Sequence, residues 1–211
     1  FTGVRFLHDS NRNMPLEGDS NFNGLKKAYA AGTELRGKTI GIVGFGRIGQ
    51  QVAKTAIGLG MQVLATDSFI EEATVTLDFF NGQTLDFNIQ TISFDEVISR
   101  ADFITFHVPS LNAYLIDEKE FAMMKPGVGI INAARGGVVN EVALVKAIDD
   151  EIVSFAGLDV FEEEPTPAVQ VLMNPQISLT PHIGAATLEA QDRIGTELAQ
   201  QIIAILKPDV V

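Results

Sequence analysis

The spacing of apolar positions along the chain changes at its glycines. Thr39-Ile40-Gly41-Ile42-Val43 is an apolar run of strand length. It breaks at Gly44-Phe45-Gly46-Arg47-Ile48-Gly49, and beyond it Val52, Ala53, Ala56, Ile57 and Leu59 fall on one helical face until Gly58 and Gly60 close the helix. Met61 to Ala65 reads as the next strand. Between 74 and 92 the period becomes two. Val75, Leu77 and Phe79 alternate, Asn81-Gly82 gives a type I′ turn signal, and Leu85, Phe87 and Ile89 alternate again, which predicts a β-hairpin inserted at the sheet edge where a crossover helix would be expected.

Further along, Asp95 to Arg100 predicts a short helix and Phe103 to Val108 a buried strand ending at Pro109. A helix over Ile116 to Ala122 capped by Asp117 follows, then a strand at Val128 to Ile131 and a helix capped by Asn140 and running to Ile148. Val153 to Leu158 and Ile177 to Leu179 complete the strands. Thr187 caps a long helix to Leu206, whose stripe of Ile194, Leu198, Ile202 and Ile205 predicts core or a packing surface. Residues 1 to 36 are weakly periodic and predict a loop with a short helix over Leu25 to Ala31, leading into a bare nucleotide-binding domain or following an earlier segment. Strands separated by helical runs predict an α/β fold of Rossmann type, a doubly wound parallel sheet with helices on both faces. Ligands of such sheets lie beyond the strand C-termini.

Composition narrows the chemistry. The chain has 211 residues, 46% of them apolar, and no run approaching a membrane span, so the expectation is a soluble, cytoplasmic protein. Without cysteine there is no disulfide, thiolate catalyst or thiolate metal site, and no metal is expected. Fifteen basic against 27 acidic residues give a formal charge of -12, which argues against nucleic acid or an anionic membrane as partner. An anionic cofactor must then be held by local backbone N–H groups and a few placed arginines.

The glycine loop supplies such groups. Gly44 permits a tight turn, Gly46 lets backbone approach a pyrophosphate, Gly49 lets helix pack on strand, and Arg47 and Ile48 open the helix whose N–H groups face the phosphates. A glycine-rich turn without a ligand would show the same letters. Asp67, eighteen residues past Gly49, is placed to accept from both hydroxyls of an adenosine ribose, or is simply a turn residue after a strand. A carboxylate there would repel a 2′-phosphate, which favours NAD over NADP. Of the three histidines, His182 stands outside any apolar face, between a proline and a glycine-containing turn. Imidazole exchanges protons near neutrality, and a carboxylate such as Glu164 would fix its tautomer. Arg135, at a strand end beside two glycines, suits a carboxylate clamp. Each has an ordinary alternative: a satisfied loop histidine, a member of an acidic run, a surface charge.

From Gly32 to Leu206 the chain resembles the coenzyme-binding domain of the D-isomer-specific 2-hydroxyacid dehydrogenases, most closely the D-3-phosphoglycerate dehydrogenases. The resemblance is carried by Gly-Thr-Glu-Leu-Arg-Gly-Lys-Thr at 32 to 39, the glycine loop, Asp67, His107-Val108-Pro109, Asn132-Ala133-Ala134-Arg135-Gly136-Gly137, Gly157-Leu158-Asp159-Val160-Phe161, Glu164-Pro165 and Pro181-His182-Ile183-Gly184-Ala185. It implies that His182 is the general acid/base, Glu164 its acidic partner, and Arg135 the residue that holds the substrate carboxylate. Asp159 would lie near the nicotinamide carboxamide, His107, Val108 and Pro109 along the adenine side, and Ala133, Gly184 and Ala185 near the nicotinamide.

The implied reaction is NAD-dependent oxidation of a D-2-hydroxy acid to the 2-oxo acid, with 3-phospho-D-glycerate of serine biosynthesis foremost. A glyoxylate/hydroxypyruvate reductase, a D-lactate type dehydrogenase, and a non-catalytic NAD-binding corepressor-like domain stand as alternatives. By resemblance, residues 1–31 are a leader and dimer arm, 32–206 the NAD-binding domain and 207–211 the start of a C-terminal tail, with most of the family's substrate domain absent from these residues and a homodimer formed through the coenzyme domain. Asn140, where many relatives have Asp, and the hairpin over 74 to 92 depart from the family pattern.

Overall fold

The computed structural model describes residues 1–206, so the predicted tail at 207–211 lies outside the described residues. Six parallel strands make the main sheet: β1 (Thr39–Val43), β2 (Gln62–Thr66), β5 (Phe103–Phe106), β6 (Val128–Asn132), β7 (Val153–Leu158) and β8 (Ile177–Leu179), in the order β2-β1-β5-β6-β7-β8. β3 (Glu72–Asp78) and β4 (Thr84–Gln90) form a separate two-stranded antiparallel sheet. The helices are α1 (Leu7–Glu17), α2 (Phe22–Ala28), α3 (Arg47–Gly58), α4 (Phe94–Arg100), α5 (Glu118–Phe121), α6 (Glu141–Asp149), α7 (Val169–Leu172) and α8 (Leu188–Leu206).

The parallel sheet is buried on both faces, which is why its strands read as apolar runs rather than alternations. On one face Ile104, Phe106, Ile130, Ala156 and Leu158 pack with Val97 and Ile98 of α4, Phe121 of α5 and Leu144 and Ile148 of α6. On the other, Ile42 and Ala65 meet Ala53 of α3, while Phe103 joins Ala56 of α3 and Val4 of the N-terminal segment. Helix starts follow the predicted caps. The Asp117 carboxylate accepts from Glu118 N–H while Glu120 reaches back in a capping box, and the Asn140 side chain accepts from both Val142 and Ala143 N–H. Thr187 likewise accepts from Ala190 N–H at 3.1 Å.

The hairpin forms with Val75 opposite Phe87 and Leu77 opposite Leu85, as the alternation requires. Its inner face rests on α3, with Val75 buried and Leu77 and Ile89 packed beside it. The turn is not type I′. Phe79 O accepts from Gly82 N–H and, among Phe80, Asn81 and Gly82, only Gly82 has positive φ, 82°, so a type I turn is followed by a left-handed glycine. The chain then returns to the main sheet at a single point, a parallel bridge between Ala65 and Thr91.

Two further expectations need correction. Residues 1 to 36 hold two helices rather than one. α1 was hidden because it contains Pro15 and three asparagine or serine residues among Ser10, Asn11 and Asn13, and it buries no residue; α2 ends at Ala28 rather than Ala31. The stripe of α8 is not core: none of its residues is buried, and Ile194, Leu198, Ile202 and Ile205 all face outward. Among the described residues no helix is long and apolar enough to cross a membrane.

Candidate functional site

Strand order reverses between β1 and β5, so the helices that follow these two strands depart in opposite directions and leave a crevice at their C-terminal ends. The glycine loop lines it. Gly44 has φ 93°, and a Cβ there would lie 2.5 Å from the carbonyl oxygen of His107, so backbone of the two strand ends meets directly. A Cβ at Gly49 would fall 2.1 Å from Gly44 O, which is what lets α3 start against the strand. Gly46 differs: its Cβ position faces open space. As N-cap of α3 it leaves the helix start without any side-chain cap, with Arg47 and Ile48 exposed on the first turn. Uncapped N–H groups beside an unfilled Cβ position are a cradle for a diphosphate, and the residues present fit NAD. Arg47 lies 3.6 Å from Glu197 of α8.

Asp67 directly follows β2 and opens the turn after it. Its Oδ2 accepts from Phe45 N–H at 2.7 Å, and its Oδ1 from Phe69 and Ile70 N–H at 2.8 and 3.1 Å. Burial alone would raise the pKa of this carboxyl, but the three backbone donors outweigh it and hold Asp67 below its ordinary value. The turn-residue reading is therefore realised, and it ties the glycine loop to β2. A carboxylate offers about four acceptor positions, so room remains for ribose. Across the crevice, His107 Nε2 lies 3.1 Å from Thr105 Oγ1, and burial pushes the imidazole pKa down. Val108 lies against Gly44 and Pro109 is exposed beyond it.

A second cluster gathers at the ends of β6, β7 and β8. Asn132 is buried, its Oδ1 accepting from Ala134 N–H and its Nδ2 donating to Arg135 O, which closes the loop bearing Ala133 and Arg135. A Cβ on Gly136 would lie 1.8 Å from Phe161 O, so this loop is seated on the turn that leads to Glu164. There, Glu164 Oε1 accepts from Phe161 N–H at 3.1 Å and its Oε2 lies 2.9 Å from His182 Nδ1. The hydrogen bond to His182, then that from Phe161, keeps the Glu164 pKa below its ordinary value.

His182 has φ 56°, a left-handed conformation that a non-glycine residue holds only when its surroundings enforce it. Asp159 enforces it. Its Oδ1 accepts from Thr180 Oγ1 and Ile183 N–H at 2.5 and 2.8 Å, and its Oδ2 from Gly184 N–H at 2.7 Å. Burial works to raise this carboxyl, yet these donors and the neighbouring His182 leave it below its ordinary value. Gly184 sits between Asp159 and Ala133, and Ala185 is exposed beside it. His182 and Glu164 are thus in contact. The Arg135 guanidinium bonds only its neighbouring carbonyl, Ala134 O, and reaches neither of them among the described contacts.

Residues 2–184 match the profile of the D-isomer specific 2-hydroxyacid dehydrogenase, NAD binding domain. The chain belongs to this family. The D-3-phosphoglycerate dehydrogenase of Mycobacterium leprae is 43% identical over 188 residues, 88% of this chain and 34% of that protein. The hydroxypyruvate reductase of Thermotoga maritima is 40% identical over 182 residues, 84% of this chain and 56% of that protein. Among solved structures, a glyoxylate reductase from Paecilomyes thermophila superposes with a TM-score of 0.78 at 32% identity, covering 98% of this chain and 59% of that one. The chain therefore spans about a third of the mycobacterial relative and little over half of the other two. It is an NAD-binding domain of the D-2-hydroxyacid dehydrogenase type.

Sequence reading named Asn132 only within a motif and passed over Thr180, although each now anchors a site loop. An asparagine at a strand end followed by a turn is an Asx-turn signal that would have found the first. The bond from Thr180 to Asp159 joins residues 21 apart and has no local signature.

Two outcomes follow for the 211-residue chain. Gly46→Val fills the cradle and should weaken NADH binding at least about tenfold with the melting temperature little changed, read by NADH fluorescence titration; equal affinity would remove the cradle from cofactor binding. For Asp159, a folded pKa below the ordinary 3.8 means stability that is present above pH 3.8 and lost as pH falls through the folded value. The melting temperature of Asp159→Asn should therefore lie below wild type at neutral pH, with the gap closing under acid; a gap independent of pH would contradict the carboxylate's role.

Proposed function

We propose that this chain supplies the coenzyme-binding domain and the proton-handling residues of an enzyme that oxidises 3-phospho-D-glycerate to 3-phosphohydroxypyruvate, a step of serine biosynthesis. The observation that carries the reading is the contact between His182 Nδ1 and Glu164 Oε2 at 2.9 Å. With Nδ1 donating to the carboxylate, Nε2 of the neutral ring is the basic nitrogen, and it is left for a substrate hydroxyl. NAD, when bound, supplies the hydride acceptor.

The chain's own residues do the rest. Gly46 and the start of α3 would hold the diphosphate, Asp67 the ribose, and His107, Val108 and Pro109 would line the adenine side. Ala133, Gly184 and Ala185 would border the nicotinamide, on the loop that Asp159 anchors through Ile183 and Gly184 N–H. His182 takes the hydroxyl proton at Nε2 during oxidation and returns it during reduction, with the charge it gains on Nδ1 balanced by Glu164. Arg135, exposed and bound only to its own loop, holds the substrate carboxylate in a bidentate grip. Transfer of the hydroxyl proton to His182 Nε2 and of the C2 hydrogen, as hydride, to the oxidised coenzyme leaves a 2-oxo acid, so atoms and electrons balance.

The support for phosphoglycerate as substrate is the 43% identity to the mycobacterial phosphoglycerate dehydrogenase. A second reading, a hydroxypyruvate or glyoxylate reductase, is favoured by the 40% identity to the Thermotoga maritima protein. Both readings use the same proton chemistry and differ in whether a phosphate is recognised.

The test is turnover by the full-length gene product on 3-phosphoglycerate, glycerate and D-lactate with NAD and NADP. We expect NAD-linked oxidation of 3-phosphoglycerate, and a kcat lower by about 10²- to 10⁴-fold in His182→Ala. Faster turnover of glycerate would favour the second reading, and turnover of nothing would leave a non-catalytic NAD-binding domain.

A homodimer built through this domain, with residues 1–31 as the arm and 32–206 as the body, is part of the same proposal. Its support is that α1 buries none of its residues and exposes Leu7, Met14 and Leu16. Light scattering should give twice the monomer mass of 22.8 kDa, and monomer alone at micromolar concentration would count against the arm.

A further inference from the structure

Two glutamates behind the proposed catalytic pair hold each other by their backbones. Glu141, the first residue of α6, donates its N–H to Glu162 Oε1 at 2.7 Å, and Glu162 donates its N–H to Glu141 Oε1 at 2.7 Å. Tyr114 adds its hydroxyl to Glu162 Oε2 at 3.0 Å. Glu141 is only 8% exposed. Burial, followed by the charge of Glu162, pushes its pKa up against the opposing effect of the Glu162 N–H.

Placing two like charges together in a half-dry site is unfavourable, and helix initiation does not require it. Asn140 already caps α6 by accepting from Val142 and Ala143 N–H. The pair instead acts on the turn between β7 and Glu164. Within this turn the backbone is gripped at consecutive residues, Phe161 N–H by Glu164 Oε1 and Glu162 N–H by Glu141 Oε1. The carbonyl of Phe161 bears on Gly136, in the loop of Arg135. Glu162 is therefore the point through which α6, the arginine loop and the His182–Glu164 contact are joined.

We propose that the Glu141–Glu162 latch is a positioning device for the dehydrogenase site, fixing the turn 161–164 so that Glu164 presents Oε2 to His182 and keeps the Arg135 loop seated. Neither glutamate is among the residues proposed above to hold substrate or cofactor. The proposal rests on the dehydrogenase reading for its purpose, while its geometry can be examined without turnover.

The readout is the titration midpoint of the Glu164 side-chain carboxyl, followed by carbon-13 NMR in the 211-residue chain. In the wild type it lies below the ordinary 4.5, held there first by His182 and then by Phe161 N–H, with Asp159 acting in the opposite sense. Glu141→Ala removes the acceptor for Glu162 N–H and should move the Glu164 midpoint up toward 4.5. Glu141→Gln keeps an oxygen acceptor there and should leave it at the wild-type position. An unchanged midpoint in folded Glu141→Ala, or an equal rise in Glu141→Gln, overturns the latch.

Should Glu141→Ala not fold, Glu162→Ala opens the other half of the latch through an exposed side chain. A rise of the Glu164 midpoint there supports the proposal and no change overturns it. A midpoint that responds in a full-length protein without dehydrogenase turnover removes the catalytic reading and leaves the latch. Turnover with an unresponsive midpoint does the reverse.

Discussion

At the top of the sheet, backbone touches backbone. The Cα of Gly44 faces the His107 carbonyl and that of Gly49 faces the Gly44 carbonyl, so β1, β5 and the first turn of α3 come together without an intervening side chain. This approach sets where α3 begins, and hence where its uncapped N–H groups point. It also sets the width of the crevice at the point where strand order reverses. A larger residue at either position would push the helix off the strand and dissolve the site without touching any polar group in it.

Above that frame, carboxylates fix the loops. Asp67 gathers the N–H groups of Phe45, Phe69 and Ile70. Asp159 gathers those of Ile183 and Gly184, and Asp102, at the other end of the sheet, holds Thr39 N–H and Lys125. In each, burial alone would raise the pKa, and hydrogen-bond donors reverse the outcome. A chain of net charge -12 thus turns part of its acid onto its own backbone, with Lys125 at Asp102, among the described residues, the one basic side chain bonded to these three carboxylates. The result at the proposed catalytic pair is a histidine held in a conformation it would not choose, through an aspartate that is itself buried.

The frame was legible in the sequence and the loop anchors were not. Glycine spacing announced the β1–α3 turn, alternation announced the two strands of the hairpin, and Asp117 and Asn140 announced their helices, because each of these signals is local. α1 stayed hidden since Pro15 and its polar neighbours contradict helix propensity, and the form of the Phe80–Gly82 turn depended on a one-residue offset that Asn-Gly does not fix. His182, Glu164 and Arg135 were nominated by residue type, and the structure joins only the first two. The grip of Asp159 on Gly184, across 25 residues, exists only once β7 and β8 lie side by side.

The hairpin has a bearing on how the main sheet ends. β2 is the outermost strand of the main sheet, and such an edge offers unpaired N–H and C=O groups to any passing strand. Thr91 bridges Ala65, and Ile92 N–H bonds Ala65 O at 2.8 Å, so the chain leaving β4 lies along that edge without extending the sheet. The hairpin then turns its polar face outward, with Thr74 bonded to Asn88 and Thr76 to Asp86. It covers that edge only where Thr91 meets Ala65, and its own strand β4 becomes a new exposed edge.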